Sequence, residues 1–125
     1  MTAALAASVI ICGGLAALAR YLVAVWFGAG DRFPWAVLTV NVIGSALAGA
    51  VIAVGDGLGG DLQLILLTGV AGGLTTFSTF SVETVQLVLD GRARVAVLNV
   101  VLNLGAGLTV AALSYAATTW ALGVN

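Results

Sequence analysis

Between Gly69 and Glu83 the chain reads Gly-Val-Ala-Gly-Gly-Leu-Thr-Thr-Phe-Ser-Thr-Phe-Ser-Val-Glu, which sets hydroxyls, two phenylalanines and a carboxylate in a stretch otherwise apolar enough to cross a bilayer. Hydrocarbon tolerates such a run only where it is buried in protein or lines a polar path. Five hydroxyls, those of Thr75, Thr76, Ser78, Thr79 and Ser81, fall within seven residues. Any one of them can bond back to a carbonyl of the preceding turn, but five together exceed what that habit predicts. Phe77 and Phe80 are three apart and share one side of a helix. Such a pair ordinarily packs a core, yet ring edges carry partial positive charge and can contact an anion while excluding bulk water. Glu83 is the single acid inside an expected span, and an intramembrane carboxylate is a functional candidate by default. Hydrogen bonds from nearby hydroxyls would equally hold it in place.

Three amides and one guanidinium extend this set. Asn41 lies in the second apolar segment, within Asn41-Val-Ile-Gly44. One reading is interhelical glue. Another is a neutral donor that replaces water around an anion without trapping it. Asn99 and Asn103 are four apart, share a face of the last segment, and invite the same two readings. Arg20 sits about two turns from the end of the first segment. It either snorkels to the interface beside Tyr21 or forms a fixed charge near an ion entrance.

The elements that must position these residues follow from composition. Of 125 residues, 62% are hydrophobic and 7% charged, against about a quarter charged in soluble domains. The expected architecture is an all-α integral membrane protein, one four-helix domain over 1–125 with helices at about 3–27, 35–54, 62–89 and 95–122. The third is long for a single crossing, and Gly72-Gly73-Leu74-Thr75-Thr76 at its middle forms helix poorly. A break there would leave free carbonyls suited to a small hard cation. Turns are expected at Gly28–Pro34, Gly55–Asp61 and Asp90–Arg94. Trp26, Trp35 and Trp120 fall near helix ends, where interfacial anchors belong. Small residues recur at Gly44/Ala48, Gly69/Gly73 and Gly107/Ala111, the spacing for close helix approach. Four short helices enclose little interior, so a polar path is expected at a boundary between subunits.

Charge and cysteine content exclude other classes. A net charge of −1 with no histidine argues against nucleic-acid binding. Cys12 is the single cysteine and is expected to pack as a small hydrophobe. Ala17-Leu18-Ala19 resembles a signal-peptidase site, but residues 2–11 carry no Lys or Arg, so a retained helix is expected. Arg32, Arg92 and Arg94 occupy the two loops on one side, which by the positive-inside rule places both termini outside.

Taken together, Gly13-Gly-Leu-Ala-Ala-Leu-Ala-Arg-Tyr21, Thr39-Val-Asn-Val-Ile-Gly44 and Gly69–Phe80 resemble the successive motifs of the Fluc (CrcB) fluoride channels. The Thr-Thr-Phe-Ser-Thr-Phe element is the most specific of the three, and the resemblance covers essentially the whole chain. It implies a fluoride-selective channel in the cell (plasma or inner) membrane that exports fluoride passively. It further implies an antiparallel, dual-topology dimer with two pores at its interface. By that resemblance Phe77 and Phe80 are the pore phenylalanines and Asn41 the pore amide, while Ser78, Thr79, Ser81 and Glu83 form a polar track. The carbonyls of Gly72 and Thr75 would hold a central structural sodium ion, and Arg20 matches the arginine of the first helix. Two departures stand out. Asn99 and Asn103 occupy the wall where relatives usually place tyrosine and serine, so Asn103 enters the pore set as its weakest member. The arginine bias between sides also raises a heterodimer with an oppositely oriented sister chain, beside the homodimer in membrane lipid.

Two rival readings compete with this one. A small multidrug transporter needs an embedded glutamate in its first helix, where this chain has Arg20 and no acid. A scaffold would need only the small-residue packing and leaves the hydroxyl, phenylalanine and carboxylate cluster without a reason. An enzyme is argued against by the absence of histidine and of any nucleophile paired with a base.

Overall fold

The computed structural model describes residues 2–27 and 33–123, the side chain of Asp56 excepted. It is all-helical, with four helices long and apolar enough to cross a membrane. The first is α1 (Ala3–Phe27) and the second α2 (Trp35–Val54). The third crossing is composite. It starts as α3 (Gly60–Leu64), widens into a π-helical stretch (Ile65–Ala71), returns to one α-helical turn, α4 (Gly72–Leu74), and resumes after a break as α5 (Phe77–Leu89). The fourth is α6 (Ala93–Leu122). Of the first expected turn, Phe33 and Pro34 are described; the rest, with Arg32, lies outside the described residues.

Packing follows the small residues. The main interhelical contact of α2 is with α6, α1 lies against the first half of the third crossing, and α5 packs on α6. At the α2–α6 crossing the main chain of Gly49 approaches Ala111, where a Cβ would lie 3.1 Å from Ala111 Cα, and Ser114 Oγ donates to Ala46 O at 2.7 Å. Lipid offers no hydrophobic drive for these contacts, so close van der Waals approach and interhelical hydrogen bonds hold them.

The break is narrower than the glycines suggest. Gly72 is helical, at φ −65° and ψ −37°. The extended residues are Thr75 (ψ 157°) and Thr76 (φ −145°, ψ 120°). Gly73 serves close approach instead, because a Cβ there would come within 2.9 Å of Gly13 Cα. What opens the helix is a set of polar substitutes for its own bonds. Thr76 N–H donates to Asn41 Oδ1 at 2.8 Å, and Thr76 Oγ1 caps α5 by accepting from Thr79 N–H at 3.1 Å. A threonine cap of this kind contributes about 1 kcal/mol. Thr76→Val should therefore lower the unfolding midpoint in detergent while Thr76→Ser preserves it. Equal midpoints for the two variants would remove the cap from this account.

At the other end of α5 the chain reverses through Gly91, at φ 74°. Arg92 N–H reaches Leu87 O at 2.8 Å and Gly91 N–H reaches Val88 O at 3.0 Å, so the last carbonyls of the helix are satisfied.

Candidate functional site

Two cavities meet at the break. One, about 300 Å³, is lined by Asn41, Thr75, Thr76, Phe77, Phe80 and Asn103, together with Ser45 and Leu104. The other, about 260 Å³, lies among α1, α2 and α5 and takes polar groups from Arg20, Tyr21, Thr76, Thr79 and Glu83. Thr76 belongs to both, so a single extended residue is the partition between them.

In the first cavity the two rings lie with centroids 5.8 Å apart at 47°. Phe80 is buried, whereas Phe77 is 79% exposed and opens to the outside of the bundle. The shared face read from their spacing is therefore present, but one chain does not close the cleft around it. Asn41 is fully engaged. Its Oδ1 accepts from the Thr76 amide, and its Nδ2 donates to Asn103 Oδ1 at 2.9 Å and to Thr76 O at 3.3 Å. Asn103, the weakest member of the expected set, thus sits directly on the most polar group of the cleft.

The second cavity resolves the alternatives for Arg20. The side chain does not snorkel: it turns inward and Nη1 donates to Thr75 O at 2.8 Å. Glu83 lines the same cavity, with Oε2 buried and without a hydrogen-bond partner among the described residues. The hydroxyl bonds that would have held that oxygen are not made. Ser81 Oγ returns to Phe77 O at 2.8 Å, and Thr75 Oγ1 returns to Ala71 O at 3.0 Å. Those two follow the local habit of membrane hydroxyls. Thr76, Ser78 and Thr79 do not, and they bond to one another across the start of α5 at 3.0 to 3.4 Å. Ser78 and Ser81 line neither cavity.

Sequence reasoning misses Thr84 and reads Asn99 only as one of a pair of amides on the last segment. Asn99 is fully buried and donates from Nδ2 to Thr84 Oγ1 at 2.9 Å. The available signal was helical spacing: Thr84 stands one turn after Phe80 on the same face of α5, as Asn103 stands one turn after Asn99 on α6.

Four apolar crossings, the third of them interrupted, and a polar cleft define a multi-pass membrane protein with an intramembrane polar site. Residues 7–115 match the family model for CrcB-like protein, Camphor Resistance (CrcB), and the chain belongs to that family. Its relatives include a protein of Variovorax paradoxus (strain S110) that is 46% identical over 103 residues, or 78% of this chain and 82% of the relative. One from Syntrophotalea carbinolica is 42% identical over 108 residues, covering 82% and 88% of the two chains. Another, from Pectobacterium atrosepticum, is 38% identical over 117 residues, covering 90% and 92%. All three bear the name fluoride-specific ion channel FluC.

Proposed function

We propose that this chain is a fluoride-selective channel that lets cytoplasmic fluoride leave passively across the cell membrane. The observation that carries the reading is the cleft at the helix break, where an amide from α2, an amide from α6 and the two phenylalanines of α5 line one space. Fluoride is small and holds its water tightly, so a selective path must offer many weak donors at close quarters. Amides, hydroxyls and ring edges supply them without a fixed charge that would trap the ion. Hydrogen fluoride crosses membranes as the neutral acid and ionises in a less acidic cytoplasm, and a passive pore then drains the trapped anion. The names of the relatives support the same ion.

The exposure of Phe77 favours a second chain that closes the cleft, in an antiparallel dimer with two such paths. An identical copy is the simplest partner. The arginine bias of the loops favours, as a second reading, an oppositely oriented sister chain.

A sodium ion between two such chains fits the donors at the break in type. Thr76 N–H bonds to Asn41, which leaves the Gly72 carbonyl without the donor four residues on. The Thr75 carbonyl spends one lone pair on Arg20 and keeps the other. Two carbonyls are too few for a hard cation, so the same pair from a second chain is required. Bound there, the ion would supply a fixed positive charge beside the path.

The test is fluoride efflux from liposomes holding the purified protein, with chloride efflux as control. Fast fluoride release without chloride is the expected result. Folded protein that releases no fluoride, alone or reconstituted with an oppositely oriented homologue, would sink the reading.

A further inference from the structure

The buried amides of α6 form a ladder whose direction is fixed at every rung. Thr84 has one hydroxyl proton and gives it to Phe80 O at 2.7 Å. Its oxygen can then only accept, and it accepts from Asn99 Nδ2 at 2.9 Å. With its nitrogen turned to Thr84, Asn99 offers Oδ1 to Asn103, whose Nδ2 donates to it at 2.8 Å and to Asn99 O at 3.0 Å. Asn103 therefore presents Oδ1 to Asn41 and accepts from Asn41 Nδ2 at 2.9 Å. Asn41 in turn presents Oδ1 to the Thr76 amide. Main-chain groups with no choice of role close both ends, the carbonyl of Phe80 and the N–H of Thr76. Turning over any one amide would set acceptor against acceptor or donor against donor. Asn99 and Asn103 are buried, where that error is costly, so the ladder stands or falls as a unit.

We propose that Thr84 and Asn99 are positioning residues for ion selection: they act through Asn103 to hold its Oδ1 on the Asn41 amide as the acceptor that an ion in the cleft must displace. Neither residue lines either cavity, so neither meets the ion. The proposal rests on the channel reading above. Both Nδ2 protons of Asn41 are spent, on Asn103 Oδ1 and Thr76 O, so an anion gains one only by displacing an acceptor, and a firmly held Asn103 lets the stronger acceptor fluoride do so where chloride cannot. Loss of the ladder frees Asn103 to rotate, and Asn41, still held by the N–H and carbonyl of Thr76, loses its acceptor on α6.

Thr84→Val, Thr84→Ser, Asn99→Leu and the double variant Thr84→Val/Asn99→Leu are compared in liposomes for fluoride and chloride flux. Hydrogen exchange at the Thr76 amide is followed in the same preparations by NMR. Thr84→Val and Asn99→Leu are each expected to cut the fluoride-to-chloride ratio by about tenfold, the factor carried by about one hydrogen bond to an ion. Both should speed exchange at Thr76. Thr84→Ser should retain the wild-type ratio, and the double variant should fall no further than Asn99→Leu alone, as members of one network do. Additive losses, or variants that melt earlier but keep an unchanged ratio and unchanged exchange at Thr76, would overturn the proposal. Where the wild-type protein carries no fluoride, alone or with an oppositely oriented homologue, the channel reading fails, and the exchange measurement still decides the ladder.

Discussion

Asn41→Leu is expected to lower fluoride flux by about 10- to 100-fold, the range set by removing a hydrogen bond to an ion, about 1.5–3 kcal/mol. Leucine shares the branching of asparagine but is bulkier, so some overpacking accompanies the loss of three hydrogen bonds. One of them satisfies the Thr76 amide inside the break, and an unpaired donor there costs about 1–3 kcal/mol. Asn41→Asp separates the two roles. Its carboxylate still accepts from the Thr76 amide, yet it cannot donate to Asn103 and sets a negative charge beside an anion path. Flux should fall in both variants, while hydrogen exchange at the Thr76 amide speeds up in Asn41→Leu and stays slow in Asn41→Asp. Normal flux through Asn41→Asp would mean that this side chain serves the backbone alone.

A large stability effect is expected at Gly73. A Cβ on this residue meets Gly13 Cα at 2.9 Å and Ala16 Cβ at 3.0 Å, and main chain cannot yield as a flexible side chain can. Gly73→Ala is expected to cost about 1–3 kcal/mol through overpacking, and Gly73→Val more. The neighbouring glycine on α1 supplies the control. Gly14 has nothing within 4 Å of its would-be Cβ, so Gly14→Ala should be neutral or gain up to about 1 kcal/mol of helix propensity. Thermal aggregation midpoints in one detergent compare the three. A Gly73→Ala protein as stable as Gly14→Ala would show that α1 has room to move off the third crossing. Because α1 also carries Arg20, displacement by Gly73→Val should lower flux as well as stability.

Much of this was legible in residue types and spacing. The four crossings follow from uninterrupted apolar runs, and their ends lie within two residues of the positions read from sequence. The break was legible too, but its cause was not. Glycines at 72 and 73 suggest weak helix, whereas the chain opens at two threonines because Asn41 and the hydroxyl of Thr76 replace the helical bonds. Such substitution depends on a residue 35 positions away, which local propensity does not register. For the same reason the sequence does not decide between the two readings of Arg20. Its carbonyl partner lies on another helix, and spacing within α1 says nothing of it. Asn99 was visible as one of a pair, but its burial required knowing that α5 and α6 lie together.

The bond from Arg20 to Thr75 also bears on how the protein is made. The two residues are 55 positions apart, and a chain grows at about 5–20 residues per second. For some seconds α1 must hold a guanidinium in or near the bilayer before its acceptor exists. An arginine at the centre of a membrane helix opposes insertion by about 2.5–3.5 kcal/mol. The leucines, isoleucines and valines of α1 must offset that alone, although only Ala16 of the helix is buried in the finished bundle. The outward face of α1, idle in the folded contacts, is thus under demand at birth, and polar replacements there should first reduce yield at the translocon rather than melting temperature.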